Sequence, residues 1–175
     1  MGLSFQNIQK GIQKYSGVRR RFDIKGTYNN IMVVDDYAHH PSEVEATLKA
    51  AKAGWDRRIL TIFQPHLFTR TRDFFKEFSS ALQISDYVIL TDIYPAREKP
   101  IPNISSNLIY DELCKVMKNK CTLVSDLDNL IEVMFKEVKS GDLVLTMGAG
   151  SIWRYCDSFY NDLRITKKNK KIEKF

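Results

Sequence analysis

The chain has 175 residues, 43% of them apolar and 27% charged, with 8 glycines and 5 prolines; this fits one globular domain with a real core and excludes a disordered, collagen-like or low-complexity chain. The net charge of +6 is concentrated at the end, where Lys167, Lys168, Lys170, Lys171 and Lys174 face Glu173 alone. That basic stretch has no interleaved aromatics and no groove-entering motif, which argues against a nucleic-acid partner, and no apolar run reaches the ~18 residues of a membrane span.

Residues 1–16 read as an N-terminal linker or marginal polar helix, 17–164 as the domain proper, and 165–175 as a basic tail. The segment from Val18 to Ile24 is a candidate strand, and Tyr28-Asn29-Asn30 offers turn chemistry before the apolar run Ile31-Met32-Val33-Val34, predicting an antiparallel hairpin. Ser42 and Glu45 have the form of a capping box, with Val44, Leu48 and Ala51 at helical spacing and Gly54 placed to end the helix. Strands and helices then alternate. The strands are 58–63, 86–90, 121–124 and 142–147, and the helices between and after them carry Phe74, Phe78 and Leu82, then Leu108, Ile109 and Leu113, then Leu130 and Met134, and last Ile152, Cys156 and Phe159. Continuous apolar strands separated by amphipathic helices predict a three-layer αβα, Rossmann-like domain with about six strands, mostly parallel with one antiparallel. The three cysteines, Cys114, Cys121 and Cys156, lack C-x-x-C spacing and lie in or beside apolar segments, so reduced thiols in a cytoplasmic protein are expected.

In such a fold the residues after each parallel strand gather at one edge of the sheet, where open α/β domains take ligands. Those residues are Asp35-Asp36-Tyr37-Ala38-His39-His40, Gln64-Pro65-His66 with Thr69-Arg70-Thr71-Arg72, Tyr94-Pro95-Ala96-Arg97-Glu98, and Gly148-Ala149-Gly150. All three histidines fall in the first two clusters. Arg70 and Arg72 at a helix start are guanidinium forks suited to a carboxylate or phosphate, although first-turn arginines are also commonly solvated. His39 and His40 fit acid/base or hydrogen-bonding roles or polar loop cover, and no metal-ligand spacing occurs. Asp35 and Asp36 suit ribose hydroxyls or outer-shell magnesium contacts, or favour a helix entry. Gly148-Ala149-Gly150 reads equally as a nucleotide turn or a tight packing turn. The chain contains no G-x-x-x-x-G-K-[ST] and no G-x-S-x-G, so as an enzyme it looks incomplete.

Together with Gly17-Val18 and Arg20-Arg21-Phe22, these clusters resemble the C-terminal domain of the Mur ligases over about Gly17 to Leu163. The resemblance implies a parent whose N-terminal domain holds a UDP sugar and whose central P-loop domain holds most of the ATP and Mg2+. It further implies that this domain binds the amino acid and closes on ATP, and that it is inactive alone. The implied reaction adds L-alanine to UDP-N-acetylmuramate in peptidoglycan synthesis through an acyl phosphate. A murein-peptide recycling domain and a non-catalytic binding module of the same fold are the alternatives. Carried over residue by residue, Tyr37, His39 and Arg70 surround the amino acid, with Arg70 on its carboxylate and His39 catalytic. His66 and Arg72 support them. Arg21, His40 and Asp35 or Asp36 lie toward the nucleotide, and Leu67 stands where many relatives have arginine.

Overall fold

The computed structural model describes residues 2, 4–13 and 18–172, with side chains as far as Ile165. Gly17, the start of the resembling segment, lies outside these residues, as do residues 1, 3 and 14–16 of the expected N-terminal linker or helix and residues 173–175 of the tail. The elements are α1 (Phe5–Gln13), β1 (Asp23–Tyr28), β2 (Ile31–Asp36), α2 (Pro41–Gly54), β3 (Ile59–Phe63), α3 (Phe68–Leu82), β4 (Tyr87–Thr91), α4 (Asn107–Met117), β5 (Cys121–Val124), α5 (Leu130–Glu137), β6 (Leu143–Met147) and α6 (Ile152–Ile172).

Six strands form one sheet in the order β1-β2-β6-β3-β4-β5. β1 pairs antiparallel with β2 and every other neighbouring pair is parallel. The central strands β2, β3, β4 and β6 are buried on both faces, and their period of two splits the core into two layers. Met32, Val34, Ile59, Phe63, Val88, Leu90, Leu143 and Leu145 pack against Leu48 of α2, Phe78 of α3 and Leu113 of α4. Val33, Leu60, Ile62, Ile89 and Val144 face Met134 of α5 and Ile152, Cys156 and Phe159 of α6. Each fully buried large apolar side chain stabilises the fold by roughly 1.5–3 kcal/mol, so the sandwich of helices on both sheet faces holds the domain together. This is the expected three-layer αβα, Rossmann-like class.

The β1–β2 turn has Asn29 at φ 52° and Asn30 at φ 62°. Two positive φ values in a two-residue loop match the right-handed twist of a hairpin, and asparagine tolerates them.

Three local expectations change. Residues 18–22 are turns rather than strand, because Arg20 (φ 59°) and Phe22 (φ 48°) leave the extended region, so β1 begins only at Asp23. Helix α2 starts at Pro41, not after Ser42. Proline is pre-set for the first helical position, and it is Glu43, three residues after His40, whose carboxylate accepts the His40 N–H at 3.2 Å. Helix α6 continues past Leu163 to Ile172, into the segment read as a tail.

Candidate functional site

The parallel register aligns Asp36, Met147, Phe63 and Leu90 at one rim of the sheet. The loops leaving those strands therefore meet. Across this rim Tyr37 and His39 have ring centroids 5.2 Å apart, His39 and His66 5.8 Å, and His66 and Tyr94 5.7 Å. Residues far apart in sequence thus make a continuous aromatic row. Arg70, from the first turn of α3, sets its Nη1 3.4 Å from the His39 carbonyl and 3.4 Å from His66 Nδ1. Tyr37, His39, His66 and Arg70 are brought together as the strand-end argument requires.

Each member is held by backbone. Glu43 accepts the N–H groups of His39 at 3.0 Å and His40 at 3.2 Å, and also faces His39 Nδ1 at 3.2 Å. Partial burial works against the ionised carboxyl, yet these hydrogen bonds hold Glu43 below its ordinary value. Glu98 plays the same part for α3, accepting from the Thr69 N–H at 3.0 Å and from the Thr69 hydroxyl, which lowers its carboxyl. Beyond the ends of β3 and β4 the strands stay joined: Tyr94 N–H donates to Pro65 at 2.8 Å and Leu67 N–H to Tyr94 at 3.0 Å, forming a parallel bridge between His66 and Tyr94. Leu67 sits at φ 75° to make this turn, a conformation costly for a branched side chain and typical of positions that organise a site.

The two rim histidines are chemically distinct. His39 Nδ1 lies 2.9 Å from the Tyr37 carbonyl, which can only accept, so Nδ1 carries the proton and Nε2 of neutral His39 is an acceptor. His66 Nδ1 faces the Arg70 guanidinium, which can only donate, so neutral His66 carries its proton on Nε2. Burial, then the charges of Arg70 and His39, push His66 below the ordinary histidine value, which keeps it neutral. One imidazole can therefore take a proton while the other, beside a guanidinium, can donate to an anion.

The remaining predicted residues lie elsewhere. Arg72 is exposed and paired with Asp73 at 2.7 Å, outside the aromatic row. His40 packs edge-on to Phe74 at 5.1 Å and contacts Ser42 Oγ at 2.9 Å, toward the α2–α3 cleft. Asp35 is fully buried, bonded to Thr146 Oγ1 at 2.9 Å and Arg20 Nε at 3.0 Å. Burial raises its carboxyl, against those two partners. Asp36 accepts the N–H groups of Phe22 and Ala38, both at 2.7 Å. Arg21 is exposed and lines, with Arg19, Asp23 and Lys25, a cleft of about 580 Å³ in which Lys25 is paired with Asp23 at 3.0 Å. Among the described residues no three His, Cys, Asp or Glu side chains stand together as a metal set.

The sequence places Arg20, Gln64 and Tyr94 in the clusters but assigns none of them a role. Arg20 bonds Asp35, donates to the Gly148 carbonyl at 2.6 Å and lies 4.8 Å over the Tyr37 ring. Buried Gln64 accepts the Ile152 N–H at 3.2 Å, tying β3 to the start of α6. Tyr94 had been visible as a strand-end residue, but its aromatic partner His66 was not.

Comparison with known proteins gives a consistent set of matches. The family described as Mur ligase, glutamate ligase domain, matches residues 20–150. The UDP-N-acetylmuramate–L-alanine ligase of Geotalea daltonii is 44% identical over 164 residues, 94% of this chain and 36% of that protein. Among solved structures, the UDP-N-acetylmuramate-alanine ligase of Thermotoga maritima has a TM-score of 0.76 at 29% identity, over 94% of this chain and 34% of the other. A single domain from Haemophilus ducreyi, named for a UDP-N-acetylmuramate:L-alanyl-gamma-D-glutamyl-diaminopimelate ligase, has a TM-score of 0.61 at 26% identity, over 82% of this chain and 99% of the other. The chain thus spans about a third of the length of the ligases it matches.

Proposed function

The chain belongs to the Mur ligase family, as its C-terminal domain, and on that premise we propose that it is the amino-acid-binding domain of a cytoplasmic UDP-N-acetylmuramate:L-alanine ligase of peptidoglycan synthesis. The identity of its relatives supports the substrate pair. The observation that carries the reading is the meeting of Tyr37, His39, His66 and Arg70 on one rim, with a fixed cation beside two imidazoles of opposite hydrogen-bonding sense.

ATP, when bound, supplies the phosphoryl group that activates the muramyl carboxylate. The residues of this chain handle the amino acid. Arg70, supported by the Nε2–H of His66, binds the L-alanine carboxylate through a charge-assisted hydrogen bond. His39 Nε2 accepts the proton that the ammonium must lose before its nitrogen attacks, while Glu43 and the Tyr37 carbonyl keep the opposite ring nitrogen protonated. Tyr37 and Tyr94 wall the site, and closing this rim onto the other domains excludes water. Arg21 reaches toward the nucleotide phosphates from its cationic cleft. Asp35 and Asp36 act from beneath, holding Arg20 and the loop carrying Tyr37. No magnesium ligand is assigned to this chain.

In the full-length ligase, Arg70→Ala is expected to raise the KM for L-alanine by about ten- to a hundredfold, the loss of a charged hydrogen bond of about 1.5–3 kcal/mol. The KM for ATP should stay unchanged. Steady-state kinetics with each substrate varied in turn checks this, and equal losses for ATP and L-alanine would defeat the assignment.

A further inference from the structure

Away from the rim, Cys114 of α4 and Cys121 at the start of β5 have their Sγ atoms 3.2 Å apart. Only the short turn 118–120 separates the two elements, and the chain reverses at Lys118, whose φ is 51°. Neither sulfur is in a disulfide. Cys114 is partly exposed, whereas Cys121 is buried and its thiol also donates to the Lys118 carbonyl at 3.4 Å. Cys156 packs in the other core layer, against α5 and the opposite sheet face, so it is not a competing partner.

Lys118 and Lys120 are exposed beside the pair and line a cleft of about 640 Å³ with Met117, Asn119 and Asp86, the last paired with Lys52 at 2.6 Å. A small anionic oxidant is drawn to that surface, and the two sulfurs need to close by only about 1 Å to reach bonding distance.

We propose that Cys114 and Cys121 form a dithiol–disulfide site, oxidised by small anionic disulfides of the glutathione class. The Cys114 thiolate attacks one sulfur of the disulfide, breaks its S–S bond and releases one thiolate, leaving a mixed disulfide on Cys114. Cys121 then gives up its proton to solvent and attacks Cys114 Sγ, expelling the second thiolate and forming the internal bond. Two protein thiols lose two electrons and two protons, and the small disulfide becomes two thiols. Cys114 is the attacking sulfur because it is the accessible one; burial, with the Cys114 thiol beside it, pushes the Cys121 thiol up to about 12, so the second step draws on the 3.2 Å proximity of the two sulfurs and not on the acidity of Cys121.

Incubating the chain with oxidised glutathione, quenching, and alkylating under denaturing conditions tests this. The thiol count should fall from three to one, with a mass loss of two hydrogens and a peptide map linking Cys114 to Cys121, all reversed by dithiothreitol. Cys121→Ser should stop at a stable glutathione adduct on Cys114, and Cys156→Ser should form the link as the parent chain does. Persistence of three thiols, a lasting adduct on Cys114 in the unaltered chain, or a link that includes Cys156 or a second chain would overturn the proposal. The map of the unaltered chain decides the matter even where a variant fails to fold.

Discussion

Arg20 joins three parts of the domain through one side chain. Its guanidinium bonds Asp35 of β2 and the Gly148 carbonyl after β6, and it covers the Tyr37 ring, while its own carbonyl accepts the Tyr37 N–H at 2.7 Å. Removing it leaves the buried Asp35 carboxylate with Thr146 as its remaining side-chain partner. Arg20→Met is therefore expected to destabilise the fold by about 2–4 kcal/mol, since stranding a buried charge costs more than losing a contact. Combining it with Asp35→Asn should recover a measurable part of that loss. Urea denaturation of the two variants checks this, and a single-variant cost within the roughly 0.5 kcal/mol of ordinary surface changes would contradict it. Nothing in Arg19-Arg20-Arg21 distinguishes these residues by type. The left-handed backbone at Arg20 and at Phe22 sends Arg20 inward and leaves Arg21 in the outer cleft, so the inward arginine was not legible from sequence.

At the level of elements, the turn from β6 into α6 shows what its small residues are for. Gly148 has φ 148°, and a Cβ there would lie 2.8 Å from the Gln64 carbonyl oxygen. A Cβ on Gly150 would lie 2.8 Å from Tyr94 Cβ, with the Gln64 amide oxygen closer still. Of the two readings this turn allowed, the contacts favour packing. Gly150→Ala is expected to cost about 1–3 kcal/mol through overpacking and to displace the Tyr94 ring, seen as a lower melting temperature together with shifted Tyr94 ring resonances. Gly54→Ala, with nothing within 4 Å of the added carbon, is the comparison without overpacking and should not lower the melting temperature. Helices and strands themselves were readable, because their apolar residues repeat with clear periods. Element ends were less so: the start of α2 depended on Pro41 and on Glu43 reaching back to the His40 N–H, whereas the capping-box spacing pointed to Ser42 and Glu45.

On the scale of the whole molecule, the alternation of strands and helices made the layered class legible, and the strand-end clusters made the rim legible. Which loops become neighbours was not, because β6, the last strand in sequence, inserts between β2 and β3. Local pattern holds no record of that long-range choice. Folding also ties the domain to acidity through the rim. His66 titrates below 6.5 in the folded chain, owing to burial and then to Arg70 and His39, with Glu98 opposing. The unfolded chain takes up this proton at a higher pH than the folded one, so stability rises with pH through the window just below 6.5 and falls on acidification. Urea midpoints measured across that window should slope upward with pH, and His66→Gln should flatten the slope; an unchanged slope would rule out His66 as its source.

The lacing of the loops after β3 and β4, from Pro65 to Tyr94 and from Tyr94 to Leu67, has one more result. A visitor arriving at this ledge meets a mould that has already set. If the rim takes an amino acid as proposed, selection among competing candidates would then rest on size and outline at first contact.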